Sequence, residues 1–470
     1  MTVTPLIYDP RTFCFPFVLT CGAGPHRYSR MNRSSLIASV LLLSARSLTA
    51  QTQTLVLRHV GVVDVAAGQS RTRRTVVIRQ GRIEEIGEDG KVALPDAAQV
   101  IDGAGKFLIP GLADMHNHLT NPVGPPQDVV RFLAGLLPWG VTTVFSPSLA
   151  LEDFRRAKEA ASGENPGLPR FYGVGPAFTA PGGHMARFEP AVEIPQTAEA
   201  ARAAVRARKA ASVDAVKVIF DDMRFGGRPA LPAMTPEILF AILDEAHRQG
   251  LKVYAHATTL EYAKTFLRAG GDGLVHGIVD QPVDDEFLSL MKTRGRFYIA
   301  TLTLWEAVHD IAGFAAREAE FDRNHRNPET VYAAFRNPKV VEQANIRFRG
   351  ALPEENVKIS MANLKRVAGS GIPVATGTDT GVPGVLPGVA SQLELVLFVE
   401  AGLSPAETLR ASTLTAQRIL GRDRELGEVA VGKAADLVLL DGDPLSDIHN
   451  IARVHAVIKG GVLQYSDRRP

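Results

Sequence analysis

The chain has 470 residues, 45% apolar and 22% charged, which excludes a mainly disordered or fibrous protein. Its 52 basic and 50 acidic residues give a net charge of +2. Residues 1–50 hold five Arg against one Asp, so the body sits near −2, lacks the basic excess that tracks a phosphate backbone, and is not expected to bind nucleic acid. The only cysteines are Cys14 and Cys21, so structural disulfides and thiolate metal ligands are excluded from everything that follows them.

Residues 1–50 read as a leader. Met31-Asn32-Arg33 runs into the apolar stretch Leu36 to Leu43 and then Ser47-Leu48-Thr49-Ala50 before Gln51. That is the positive start, short apolar centre and small-residue exit of a secretory signal peptide over 31–50. The stretch is far shorter than the ~20 apolar residues that cross a bilayer, so no stable membrane span is expected. With the signal in use the protein is exported, periplasmic or secreted; otherwise it is cytoplasmic. An irregular tail and an organellar presequence are the competing readings.

Residues 51–110 are rich in β-branched residues punctuated by glycine, with Gln80-Gly81 placed as a hairpin turn. The end of the chain, 420–470, repeats that texture with Gly460-Gly461 as its turn. Termini often lie close together, so the two segments are expected to form one small β-sandwich domain.

Between them, over 111–419, eight short apolar runs alternate with amphipathic stretches: LIPGLADMH, VTTVFS, RFYGVG, AVKVIF, KVYAHA, GLVHGI, RFYIA and IPVATGTD. Helices are predicted near 126–138, 152–162, 197–211, 236–249, 259–269, 283–293 and 356–370. Thr235 before Pro236 marks one start, and Ser404-Pro405-Ala406-Glu407 reads as a capping box. The alternation predicts an α/β fold, a (β/α)8 TIM barrel. A doubly wound sheet ranks lower because no glycine-rich phosphate loop follows an early strand. The stretch 302–355 is too long for a connection; it either covers the barrel mouth or is a solvated insertion.

Metal-competent side chains recur where these runs end. The first ends in His116-Asn117-His118, the fifth at His256, the sixth at His276 and the eighth at Asp379. Residues two apart on a strand share a face, so His116 and His118 can reach one ion. In a barrel all the strand ends converge on one mouth. Three imidazoles suit one zinc; a fourth with oxygen donors suits two ions. Lys217, inside AVKVIF, is costly there unless paired or neutral. As a neutral amine it can take up carbon dioxide and become a carbamate with two ligand oxygens. His184 follows Pro181-Gly182-Gly183, where glycines allow close backbone approach to a ligand. Arg224 and Arg228, after the fourth run, are candidates to grip a substrate carboxylate. Tyr254, two residues before His256, is assigned to packing.

IPGLADMHNHL, GVTTV, AVKVIF, VYAHATTLEYAKTFLRAGGDGLVHGI, PVATGTDTG and GKAADLVLLDGDPLSDI stand in an order that resembles the amidohydrolase superfamily across roughly 107–445. Lys217 with PGGHM is most similar to the branch holding imidazolonepropionase-related and prolidase-like proteins with a carboxylated lysine. The resemblance implies two divalent metal ions, usually zinc: His116, His118 and Asp379 on one, His256 and His276 on the other, and carboxylated Lys217 between them. It also implies a substrate contact for His184. Imidazolonepropionases use one metal and lack the bridging lysine, so Lys217 argues against that activity here.

The implied chemistry is hydrolysis of an amide-type C–N bond in a small-molecule substrate, a dipeptide or N-acyl amino acid, by a metal-bound hydroxide. Asp379 would be the catalytic proton carrier. A lactonase or phosphotriesterase-like hydrolase is the alternative, and a non-catalytic relative ranks below both because every expected ligand is present. A homo-oligomer is left open by the sequence.

Overall fold

The computed structural model describes residues 54–467 apart from 121–127, 164, 189 and 323. The leader expectation over 1–50 lies outside the described residues. In chain order the strands are β1 (Leu55–Asp64), β2 (Gln69–Arg79), β3 (Arg82–Glu88), β4 (Gln99–Asp102), β5 (Phe107–Pro110), β6 (Leu112–Asp114), β7 (Val141–Ser146), β8 (Arg170–Gly173) and β9 (Ala177–Phe178). They continue with β10 (Val192–Glu193), β11 (Val216–Ile219), β12 (Val253–His256), β13 (Gly273–Val275), β14 (Phe297–Ile299), β15 (Val374–Ala375), β16 (Leu437–Leu440), β17 (Val454–Lys459) and β18 (Val462–Ser466).

Both ends of the chain enter one sheet, in the order β18-β17-β16-β5-β1-β2-β3, with β4 also on β1. The pairing is continuous, where a two-sheet sandwich was expected. The reason lies in β1. It pairs antiparallel with β2 along one edge; along the other it pairs first with β4 and then, beyond register shifts between Leu57 and Val62, with β5. One strand thus serves both halves. Leu55, Leu57, Val60 and Val62 of β1 pack with Leu108, Leu437 and Leu439 in a core of their own. The two predicted turns are present, with positive φ at Gln80 and Gly81 (50° and 75°) and at Gly460 and Gly461 (57° and 78°). Such backbone matches the twist of the strands it joins.

The middle of the chain forms two parallel sheets, β6-β7-β8 and β10-β9-β11-β12-β13-β14-β15. Every residue of β7, β11 and β12 is buried, as expected where helices cover one face and a core fills the other. Helices Leu151–Ala160, Ala198–Ala210, Pro236–Arg248, Leu260–Arg268, Asp285–Lys292 and Glu354–Gly369 alternate with the strands, each within two residues of the predicted span. Their starts follow from local chemistry. Thr235 caps Ile238 with Pro236 at the first helical position, and Ser404 with Glu407 forms the reciprocal box.

The two sheets meet on both sides. Met115 N donates to Thr376 O at 3.0 Å and His118 N to Thr380 O at 2.9 Å, tying the end of β6 to the end of β15. Asp214 N donates to Gly173 O at 2.9 Å and Gly173 N to Asp214 Oδ2 at 2.8 Å, tying β8 to the approach of β11. The long stretch after β14 is helical: Leu302–His309, Ile311–Phe321, Glu329–Ala334 and Pro338–Phe348. Among the described residues no helix is long and apolar enough to cross a membrane.

Candidate metal centre

The ends of the parallel strands and the residues just past them bring the predicted ligands together. His116, Lys217, His256, His276 and Asp379 are each at most 5% exposed, and all of them line one cavity of about 400 Å³ with His118 and His184. One ligand atom each from His116, His118 and Asp379 lies within 4.8 Å of the others. Nε2 of His116 is 3.1 Å and Nε2 of His118 2.9 Å from Asp379 Oδ1. Yet Asp379 Oδ1 and both ring nitrogens of His116 are buried without a directed hydrogen bond. Atoms that face a common point, rather than each other, have this geometry. Orphaned buried polar atoms are costly unless something else satisfies them, and a divalent ion fits this nitrogen and oxygen set.

The other ligands stand beside this trio. The His276 ring is 4.5 Å from those of His116 and His256, centroid to centroid, and its Nδ1 is 3.8 Å from Asp379 Oδ2. His256 Nε2 meets the thioether of Met223 at 3.1 Å, a weak partner that leaves the nitrogen free to ligate. Lys217 Nζ lies 5.2 Å from the Tyr254 ring centre, and among the described residues no carboxylate forms an ion pair with it.

Burial sets the protonation. Loss of solvent pushes His116 down to about 3 and His256 and His276 well below the ordinary imidazole range. These are the neutral rings that bind metals. Lys217 is pushed down to about 7, again by burial, with Asp379 opposing. Asp379 goes the other way: its burial is outweighed by His276 and His116, which hold it well below the usual carboxylate range.

The backbone is bent to suit. His276 and Asp379 both have left-handed φ, 76° and 62°, a conformation that costs a non-glycine residue about 1 kcal/mol or more. Trp305 Nε1 donates to the His276 carbonyl, and Asp379 N donates to His116 O at 2.8 Å. Gly377 lies so close to His116 that a Cβ there would sit 2.8 Å from the histidine Cβ. Gly381 is equally close to His118, at 2.9 Å.

Asp114 organises the front of the site. Its carboxylate accepts from His116 N (3.2 Å), Asn117 Nδ2 (3.0 Å), Thr378 N (3.1 Å), Thr378 Oγ1 (2.8 Å) and Ser391 Oγ (3.0 Å). Asp221 does the same for Thr258 and Met223, beside His256. Glu394 accepts from the N–H groups of Leu302 and Thr303, next to Thr301, whose hydroxyl is 3.1 Å from His276 Nδ1. None of these three acids was singled out from the sequence. Asp114 had a readable signal, two residues before His116 in the same run; Glu394 had none.

The predicted substrate contacts separate. His184 lines the cavity with its ring 4.8 Å from that of His256, and loss of solvent pushes it down to about 4. Arg224 does not line the cavity; its side chain is 62% exposed and ion-paired with Asp222 at 2.8 Å. Arg228 does line it but is committed elsewhere, donating to Phe348 O at 3.1 Å and Gly350 O at 2.7 Å. Tyr254 packs against Phe145 and Phe297, in keeping with a packing role. The long helical stretch supplies part of the cavity wall through Leu304, Trp305, Val308 and residues 346–349.

The described residues form parallel α/β sheets with a His-His-Asp group, just past the ends of β6 and β15, that could hold a metal ion. The chain is a member of the amidohydrolase family, whose profile matches residues 107–463. It is 27% identical over 302 residues to an ochratoxinase from Aspergillus niger, a match spanning 63% of this chain and 52% of that protein, about half the relative's length. It is 34% identical over 110 residues to an imidazolonepropionase from Geobacillus kaustophilus, covering 23% of this chain and 26% of the relative. Among solved structures it is similar to a prolidase complexed with N-methylphosphonate-L-proline, with TM-score 0.67, 26% identity, and coverage of 88% of this chain and all of that one.

Proposed function

We propose that the chain is a metal-dependent hydrolase of an amide-type C–N bond in a dipeptide or N-acyl amino acid, acting from a closed (β/α)8 barrel with two metal ions. The observation that carries this reading is the convergence of His116, His118, His256, His276, Lys217 and Asp379 on one cavity. The hydrogen bonds between the two sheets on both sides support closure. The likeness to an ochratoxinase and to a prolidase supports amide hydrolysis.

In this reading His116, His118 and Asp379 would hold one ion, and His256 and His276 the other. Lys217, as a neutral amine, would add through its nitrogen to carbon dioxide with loss of a proton, and the resulting carbamate would supply oxygen ligands to the same ions. Divalent ions held there would polarise the scissile carbonyl and make water a better nucleophile. Asp379 Oδ2, the oxygen turned from the His116 and His118 nitrogens, takes the proton of the attacking water and passes it to the leaving nitrogen. His184 faces the same space and orients the substrate. The apolar wall of Phe225 and Trp305, whose rings meet edge to face at 5.8 Å, keeps bulk water away from the reacting bond.

Elemental analysis of the purified protein, with a screen of dipeptides and N-acyl amino acids against lactones and phosphotriesters, tests the proposal. About two metals per chain and turnover of amides alone are expected. Turnover confined to lactones or phosphotriesters would replace the amide by another bond, and a metal-free active enzyme would end the reading. Lys217→Ala should lose the bridging group and activity together. We also infer export through the 31–50 leader; exported material beginning near Gln51 is expected on N-terminal sequencing, and an intact Met1 would refute it.

A further inference from the structure

Among the described residues lining the cavity Asp379 is the only acid, whereas Arg187, Arg228, Arg347 and Arg349 all reach it. The four arginines are not equivalent. Arg228 is 7% exposed and spends two donors on the carbonyls of Phe348 and Gly350. Arg349 donates to the carbonyl of Pro229. Together they form a reciprocal clamp between the loop after β11 and the end of helix Pro338–Phe348. Arg347 immediately precedes the clamped residues Phe348, Arg349 and Gly350.

Arg187 and Arg347 are left over. Each holds its guanidinium against the same ring, that of Phe188, at 5.0 Å and 5.2 Å from the centroid. Among the described residues neither forms an ion pair with a carboxylate. Two cations held against one ring at the rim of a cavity with a single acid repel one another until an anion joins them. The ring and the clamp fix their positions beforehand, so little ordering is lost when an anion arrives. The same cavity is also lined by the apolar side chains of Phe225, Leu304, Trp305 and Val308.

We propose that Arg187 and Arg347, fixed on Phe188, are the specificity-determining residues that bind the free carboxylate of the substrate, so that the enzyme selects N-acyl amino acids or dipeptides with an apolar C-terminal residue and discriminates against neutral amides. The inference rests on the hydrolase reading above and narrows its substrate class. Guanidinium groups match a carboxylate in shape as well as charge, and a site built around that pairing rejects an analogue lacking it.

The test is equilibrium binding of N-acetyl-L-phenylalanine and of its primary amide to the full-length protein freed of metal by a chelator. Without metal the carboxylate cannot be gripped by the ions and nothing is turned over. The acid is expected to bind at least tenfold more tightly than the amide. Arg187→Met and Arg347→Met should each bring the acid close to the amide while leaving amide binding unchanged, and Arg347→Lys should keep part of the preference. Equal binding of acid and amide by the unaltered protein, a preference that survives both Met substitutions, or failure of both compounds to bind would overturn the proposal. Turnover with metal restored is a separate measurement. If the unaltered protein hydrolyses no amide, the hydrolase reading falls while the binding result stands on its own.

Discussion

The inner ring of the cavity and its outer rim are built on different principles. The inner ring is carried by strand ends and the residues just past them; His116, His256 and His276 are buried and neutral there, and acids such as Asp114 and Asp221 brace it. The rim is carried by the loops after β9 and β11 and by the end of a helix, is partly exposed, and is braced by arginine contacts to backbone carbonyls. A strand dictates where alternate side chains point, so the ring tolerates little change. A loop dictates nothing of the kind, so the rim can be rebuilt for a new substrate without disturbing the chemistry.

The largest effect expected belongs to the ring. In the proposed reading Asp379→Asn takes away the negative charge of the ligand and the proton carrier at once. We expect kcat/KM to fall on the order of 10³-fold or more, with loss of bound metal by elemental analysis. A variant that keeps its metal and most of its rate would show that the ring is a structural cluster. Asp114→Ala probes the bracing beneath it. Five donors lose their acceptor in a buried place, for which about 3 kcal/mol of stability is expected in denaturant unfolding. Metal affinity should weaken about 10-fold or more, because the removed carboxylate orients a ligand strand.

Glu394 sharpens the contrast in another way. Burial pushes this carboxyl up to about 8, against the N–H groups of Thr303 and Leu302, and the nearby Asp114 charge adds to the rise. Its folded value lies above its ordinary value of 4.5, so the folded chain holds a proton that the unfolded chain has released. The stability this contributes is complete below about 4.5 and fades as pH rises through about 8. Glu394→Gln should flatten the fall of stability across that window by up to about 1.4 kcal/mol per pH unit. Unfolding midpoints measured at several pH values would show it; an unchanged slope would mean that Glu394 is ionised in the fold.

What the sequence reveals follows the same division. His116 and His118 are legible because they close an apolar run at a two-residue spacing, although the structure ends β6 at Asp114 and places both just beyond it. His256, His276 and Asp379 are legible because each stands where an apolar run stops. Six of the predicted helices are legible through their period and caps to within two residues, whereas the one expected at 126–138 is a helix only over Val129–Ala134. The joint sheet is only half legible: the turns at Gln80-Gly81 and Gly460-Gly461 are local, but the bridging of both halves by β1 depends on register shifts that no periodicity announces. Arg187 and Arg347 are invisible for the same reason. Their approach to Phe188 is set by where two remote loops fold, one just past PGGHM and one at the end of the long helical stretch.

The smallest expected effect makes the most direct test of this division. Arg224 and Arg228 stand four residues apart after the same strand and look alike in the sequence, yet one guanidinium is exposed and paired with Asp222 while the other is a buried clamp. Asp222 is 7% exposed, but the 62% exposed Arg224 side chain keeps solvent on the pair and holds its contribution to about 1 kcal/mol. Arg224→Ala should therefore leave kcat/KM within about twofold and the unfolding midpoint nearly unchanged. Arg228→Met frees the carbonyls of Phe348 and Gly350, so Arg347 loses its fixed position and KM should rise several-fold while kcat, governed by the ring, holds. Equal effects of the two substitutions on KM would mean that the rim is not fixed by this clamp, and that the loop after β11 acts on the substrate through charge alone.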